Sequence, residues 1–198
     1  PSHRPIHFVG PIRTAKPEAA LPFAMDPQKP FVFMSLGTLQ GHRYDLFRCA
    51  AQACRALDIQ LLVAHCGGLT DREAARLDAT WVTDFVDQRA VLQHADLCIT
   101  HGGLNTVMDA LEFAKPLLVL PVAFDQPGVA ARIVHHGAGL RLSKRLLTAS
   151  KMEKALRALL NDLGYRRQAE EIGRSVRQAG GLTRAVEIIE QTLSTRAT

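Results

Sequence analysis

Long apolar runs are missing from this chain of 198 residues: nowhere do about 18 consecutive apolar residues occur, the length a membrane-spanning helix needs. The opening Pro-Ser-His-Arg-Pro holds neither a Met nor the apolar core of a secretory leader, so the start is expected to be a cut within a longer protein. Cysteine is scarce, four residues with no C-x-x-C pair among Cys49, Cys54, Cys66 and Cys98, and no histidines stand at ligand spacing beside them. Neither a disulfide framework nor a zinc site is expected; buried free thiols in a reducing cytoplasm are. Aromatic residues make up 6% of the chain, with one Trp, and the interleaving of aromatic and basic residues that lines nucleic-acid grooves is absent, so no nucleic-acid partner is expected.

Hydrophobic residues account for 47% of the chain, enough at this length for one well-built domain with a real core. The net charge of +5 is uneven: residues 1–131 hold 11 Lys+Arg against 13 Asp+Glu, a balance of −2, whereas residues 132–198 hold 13 against 6, a balance of +7. Solvated helix faces account for the basic third. A peripheral association with anionic lipid or an acidic partner surface is its sharper reading.

Pro1, Pro5, Pro11, Pro17, Pro22 and Pro27 keep residues 1–29 from forming a long helix or a central strand, so this stretch reads as an interdomain linker with a short extended piece at Ile6 to Val9. Residues 30–198 then read as one domain. Apolar strands are expected at Phe31 to Leu36, Ile59 to Ala64, Thr80 to Val86, Leu97 to Thr100, Leu117 to Leu120 and Gly139 to Leu142. Between them lie helical patterns at Tyr44 to Leu57, Arg89 to His94, Leu104 to Phe113 and Gly128 to His136. Strand and helix in alternation imply right-handed crossovers and a parallel sheet covered on both faces, an α/β, doubly wound, Rossmann-like fold. From Thr148 the strands stop, and three helices near 148–161, 164–179 and 182–194 form a helical wrap.

In open parallel sheets ligands bind outside the carboxyl ends of the strands. The richest turn there is Cys98-Ile-Thr-His-Gly-Gly-Leu-Asn-Thr106, where a buried strand runs through two glycines into a helix. The first N–H groups of that helix lack internal partners and carry partial positive charge. His101, Asn105 and Thr106 add hydrogen-bonding side chains, and Gly102 and Gly103 let an anion approach the backbone. A phosphate or diphosphate is the expected ligand, although Gly-Gly before a helix also serves as a plain connection with His101 as its cap.

The order Phe85-Val-Asp-Gln88, Thr100-His-Gly-Gly-Leu-Asn-Thr-Val-Met-Asp109, Pro116-Leu-Leu-Val-Leu-Pro121 and Asp125-Gln126 resembles the donor-binding signature in the C-terminal half of nucleotide-sugar glycosyltransferases with the GT-B fold. The Leu104 to Asp109 and Phe124 to Arg132 runs look most like bacterial carotenoid (zeaxanthin) glucosyltransferases. The resemblance implies that Phe85 stacks on the nucleobase and Val86 contacts it through the backbone, and that Gln88 and Asp109 hold ribose hydroxyls. It further implies that His101, Gly103, Asn105 and Thr106 cradle the diphosphate, that Gly37 and Thr38 face it from the first turn, and that Asp125 and Gln126 hydrogen-bond the donor sugar. Asp109 replaces a family Glu, and Phe85 replaces the Trp of plant members. Each residue also has a plainer reading: Phe85 as a core aromatic, Gln88 as a helix start, Gly37 and Thr38 as a turn, and Asp125 as the cap of a helix opening at Pro127.

An inverting transfer from a UDP-sugar, with glucose favoured by Gln126, to a hydroxyl of a lipophilic acceptor is what the resemblance implies. The catalytic base is then a His of an N-terminal acceptor domain absent from this chain. No Asp-x-Asp pair stands at the phosphates, so neither a metal nor another cofactor is expected, and the chain is placed in the cytoplasm, at the inner face of the membrane if its basic third meets lipid. An antibiotic-type glycosyltransferase using a TDP- or UDP-sugar, a sugar-nucleotide epimerase and a non-catalytic nucleotide-binding module share the fold. The Asp125-Gln126 pair and the linear order of the motifs argue against the epimerase.

Overall fold

The computed structural model describes residues 6–13, 21 and 23–194. Six parallel strands, β1 (Phe31–Ser35), β2 (Gln60–Ala64), β3 (Trp81–Thr83), β4 (Leu97–Thr100), β5 (Leu117–Val119) and β6 (Gly139–Arg141), form one sheet in the order β3-β2-β1-β4-β5-β6. The four inner strands are buried along their whole length, which explains why they read as continuous apolar runs and not as alternating ones. β1 lies between β2 and β4, with Val32 opposite Leu61 on one side and Leu97 on the other.

Helices α1 (Gly37–Gln40), α2 (Tyr44–Ala56), α3 (Asp71–Ala75), α4 (Gln88–His94), α5 (Leu104–Glu112) and α6 (Gln126–His135) connect the strands, and α7 (Ala149–Asn161), α8 (Leu163–Gln178) and α9 (Gly181–Ser194) follow the last one. The side chains of β1 split the core in two. Val32 and Met34 join Phe47 of α2 and Leu156 of α7 on one face, and Phe31 and Phe33 join Val91 of α4, Val107 of α5 and Ala169 of α8 on the other.

α8 reaches α5 because Gly173 has no side chain: a Cβ there would lie 1.9 Å from the carbonyl oxygen of Leu111. The close crossing holds α5 in place from behind.

Four differences from the sequence reading have local causes. β3 ends at Thr83, because only Trp81 to Thr83 find partners on β2, and Phe85 and Val86 therefore lie in the following loop. Gly37 begins a single helical turn, entered at φ +68°. α3 was not expected; Thr70 and Glu73 form a reciprocal capping box around it, a signal present in the sequence. Ile6 to Val9 pair with no strand, and the Val9 carbonyl instead accepts the Gly181 N–H at 2.7 Å.

The residues just before β1 are fastened to the sheet edge. Phe23 stacks on Trp81 with ring centroids 4.3 Å apart. Gln60 accepts the Asp26 N–H at 2.8 Å and donates to the Asp26 carbonyl at 2.9 Å. Pro1, Pro5, Pro17 and Pro22 of the expected linker lie outside the described residues.

Candidate functional site

The strand order reverses direction between β1 and β4, so the turns that leave these two strands stand side by side at the carboxyl rim. This is the switch point at which doubly wound sheets take ligands. Gly37 and His101, 64 positions apart in sequence, are consequently in contact: a Cβ on Gly37 would come within 2.9 Å of the His101 imidazole, and one on Gly103 within 2.6 Å. The ring is held between two glycines.

Behind it, α5 starts at Gly103, which offers no side-chain acceptor to the first amides of the helix. Those donors are left for a ligand. Gly102, at φ +93°, makes the sharp reversal, and its N–H donates to Thr100 Oγ1 at 3.3 Å. In front lies a cavity of about 250 Å³ whose walls include Thr38, His101, Asn105, Phe124 and Gln126.

Burial lowers the His101 pKa from its ordinary 6.5, against an opposing pull from Asp125. The imidazole is therefore neutral at pH 7, with one N–H to donate and no charge to offer.

The pair expected to meet the sugar, Asp125 and Gln126, stands on the loop after β5. The buried Gln126 turns its Oε1 inward, where it accepts the N–H groups of Val122 and Ala123, each at 2.8 Å. This oxygen is committed to the loop, and the amide nitrogen is the part of the side chain left for a ligand. Asp125, at the start of α6, makes no side-chain cap to the helix. It remains exposed beside the cavity, contrary to the helix-cap reading. Phe124 precedes it in a left-handed conformation at φ 55° with 76% of its surface exposed. Neither its strain nor its place on the cavity wall was foreseen, and Phe-Asp-Gln carries no signal of a positive φ.

The residues expected to hold the ribose, Gln88 and Asp109, are more crowded than expected. Gln88 Nε2 donates to Asp109 Oδ2 at 2.7 Å, and Thr106 Oγ1 donates to Gln88 Oε1 at 3.0 Å. Arg89 donates to Asp109 Oδ1 at 3.2 Å and grips both oxygens of Glu112 at 2.7 and 2.8 Å. This bidentate grip holds the Glu112 carboxyl below its usual pKa. Arg13 closes the cluster from the segment ahead of β1, its Nε donating to Asp109 Oδ1 at 3.1 Å.

Asp109, 4% exposed, is thus bonded at both oxygens by protein groups. Thr106, grouped by sequence with the phosphate cradle, gives its hydroxyl to Gln88. Gln88, Thr106 and Asp109 form one network, while Asn105 stays exposed at the cavity. Phe85 is 69% exposed at the carboxyl end of β3, which excludes a core aromatic and leaves its face open for stacking; Val86 packs partly against the core. Arg13 and Arg89 were missed because their partners lie 96 and 20 residues away, contacts that no local pattern encodes.

Residues 53–188 match the family model described as erythromycin biosynthesis protein CIII-like, C-terminal domain. The chain is 48% identical over 194 residues to a zeaxanthin glucosyltransferase of Pantoea ananas, covering 96% of this chain and 45% of that protein. A zeaxanthin glucosyltransferase of Pseudescherichia vulneris is 42% identical over 192 residues, with 95% and 46% covered. Among solved structures, the calicheamicin glycosyltransferase CalG4 superposes with a TM-score of 0.85 at 27% identity, over 97% of this chain and 49% of that one. The chain spans about half the length of these relatives. It belongs to the erythromycin biosynthesis protein CIII-like C-terminal domain family, the C-terminal domain of GT-B glycosyltransferases.

Proposed function

We propose that this chain is the donor-binding half of an inverting glucosyltransferase, which moves glucose from UDP-glucose to a hydroxyl of a lipophilic acceptor of the zeaxanthin kind. The observation that carries the reading is the uncapped start of α5 facing a cavity shared with His101, at the rim where β1 and β4 part. Backbone donors of α5 and the neutral His101 N–H stabilise the diphosphate as negative charge gathers on it, which is electrostatic catalysis by fixed dipoles. The acceptor oxygen forms the new bond to the anomeric carbon from the face opposite the diphosphate, and the bond from that carbon to the phosphate oxygen breaks. A base in the N-terminal half takes the hydroxyl proton.

Two surfaces agree with a missing half. Leu182, Val186, Ile189 and Leu193 of α9 are exposed along one stripe, and Ile6, Phe8 and Ile12 are exposed in the segment tied to its start at Val9. On this reading the acceptor pocket lies in the other half, and this chain alone transfers no sugar.

The exposed Asp125 and the free amide of Gln126 read the sugar hydroxyls. Titration of wild type and Asp125→Ala with UDP-glucose and UDP tests that role. UDP-glucose binding weakened by about tenfold, as expected for a lost hydrogen bond to a charged group, with UDP within twofold, is the expected result. Equal losses for both ligands contradict it. Including thymidine diphosphate in the same series decides between a UDP-sugar and the TDP-sugar of an antibiotic-type enzyme.

A further inference from the structure

We propose that Arg13, from the segment ahead of the sheet, is a donor-binding residue whose guanidinium contacts the α-phosphate of the nucleoside diphosphate. This rests on the donor-site reading above and adds a residue to it. Arg13 lies along the exposed side of the first turn of α5. Its Nη2 stands 3.0 Å from Asp109 Oδ1 at the ribose end and 3.3 Å from the Asn105 carbonyl at the phosphate end. These two residues are four apart, about 6 Å along a helix, which is the span from a ribose to its α-phosphate.

Charge points the same way. A nucleoside diphosphate brings at least two negative charges, yet His101 is neutral, Arg89 is spent on Glu112 and Asp109, and Lys144 is tied to the Val122 carbonyl at 2.9 Å. Arg13 keeps one terminal nitrogen, Nη1, without a partner among the described residues, and its side chain is 31% exposed. Its other two nitrogens are fixed by Asp109 and Asn105, so the free one is aimed before a ligand arrives. Asp109 on this account is a positioning residue, holding Gln88 and Arg13 at the two sides of the nucleotide.

The test is titration of wild type, Arg13→Gln, Arg13→Lys, Asp109→Asn and the Asp109→Asn/Arg13→Gln double variant with UDP, UMP and uridine, the last followed by ligand NMR. Arg13→Gln is expected to weaken UDP and UMP by about 10- to 100-fold, the loss of a charge-assisted hydrogen bond, with uridine within twofold and Arg13→Lys in between. The cost for UDP is expected to persist in the Asp109→Asn background. Uridine weakened as much as UDP, UDP unchanged or tightened, or no further cost in the Asp109→Asn background would each overturn the proposal. Wild type that fails to bind UDP, or binds it equally after His101→Ala, defeats the donor-site reading itself. UDP binding that needs His101 but not Arg13 defeats this inference alone.

Discussion

A methyl group on Gly103 would lie 2.6 Å from Cε1 and Nε2 of His101, too close for either to stay where it is. Gly103 itself has φ −61° and ψ 128°, ordinary extended values, so alanine meets no backbone objection there. The only casualty is the imidazole. Gly103→Ala is therefore expected to weaken UDP by about 10- to 100-fold, the value of one strong hydrogen bond, while the urea midpoint of unfolding stays at that of wild type. A midpoint that falls along with binding would show Gly103 to serve the fold and not the ring. The candidate residues could be nominated from the sequence at this scale, because residue type and spacing around His101 single them out. Their bonding was not. That Asp109 has both oxygens taken, and that Thr106 serves Gln88, depends on Arg13, Arg89 and Gln88 arriving from other elements. The thiols behave as buried groups do: desolvation pushes Cys54 up to about 12 and raises Cys98 as well, so neither is a nucleophile at neutral pH.

Among the elements, α5 matters most, since it carries the uncapped terminus beside His101 and two members, Thr106 and Asp109, of the network with Gln88. α8 fixes it from behind through Gly173, where a Cβ would stand 1.9 Å from the Leu111 carbonyl. A backbone oxygen cannot swing aside as a side chain can. Gly173→Ala is expected to cost about 1–3 kcal/mol of stability, the usual range for overpacking, measured by urea unfolding; no loss would mean that the two helices do not cross so closely. The strands were legible because strands buried on both faces read as unbroken apolar runs, and α5, α7 and α8 because each has one apolar stripe. α3 escaped notice because its five residues bury no side chain, so the capping box at Thr70 and Glu73 was its only mark. β3 was read too long for the converse reason: Phe85 and Val86 are apolar, but the pairing with β2 stops at Ala64 opposite Thr83, and pairing is not written in one strand alone.

For the whole molecule, the strand order β3-β2-β1-β4-β5-β6 does what no segment does by itself. It sets Gly37 against His101, gathers Gln126, His101 and Asp109 along one rim, and lets the segment ahead of β1 reach α5 with Arg13. Alternation of strands and helices foretold a parallel sheet and a rim of convergent turns, but the neighbours across that rim follow from the order of the strands, which only the assembled sheet displays. The apolar stripe of α9 and the exposed Ile6, Phe8 and Ile12 belong to this scale too, and on the proposed function they form the surface that meets the other half. On the proposed function, the start of α5 and His101 hold a nucleoside diphosphate. Calorimetric titration of this chain with UDP, wild type against His101→Ala, tests it most directly. Saturable binding of one UDP per chain, weakened by about tenfold or more in the variant, is the predicted result, and no binding, or binding that His101→Ala leaves unchanged, would contradict it.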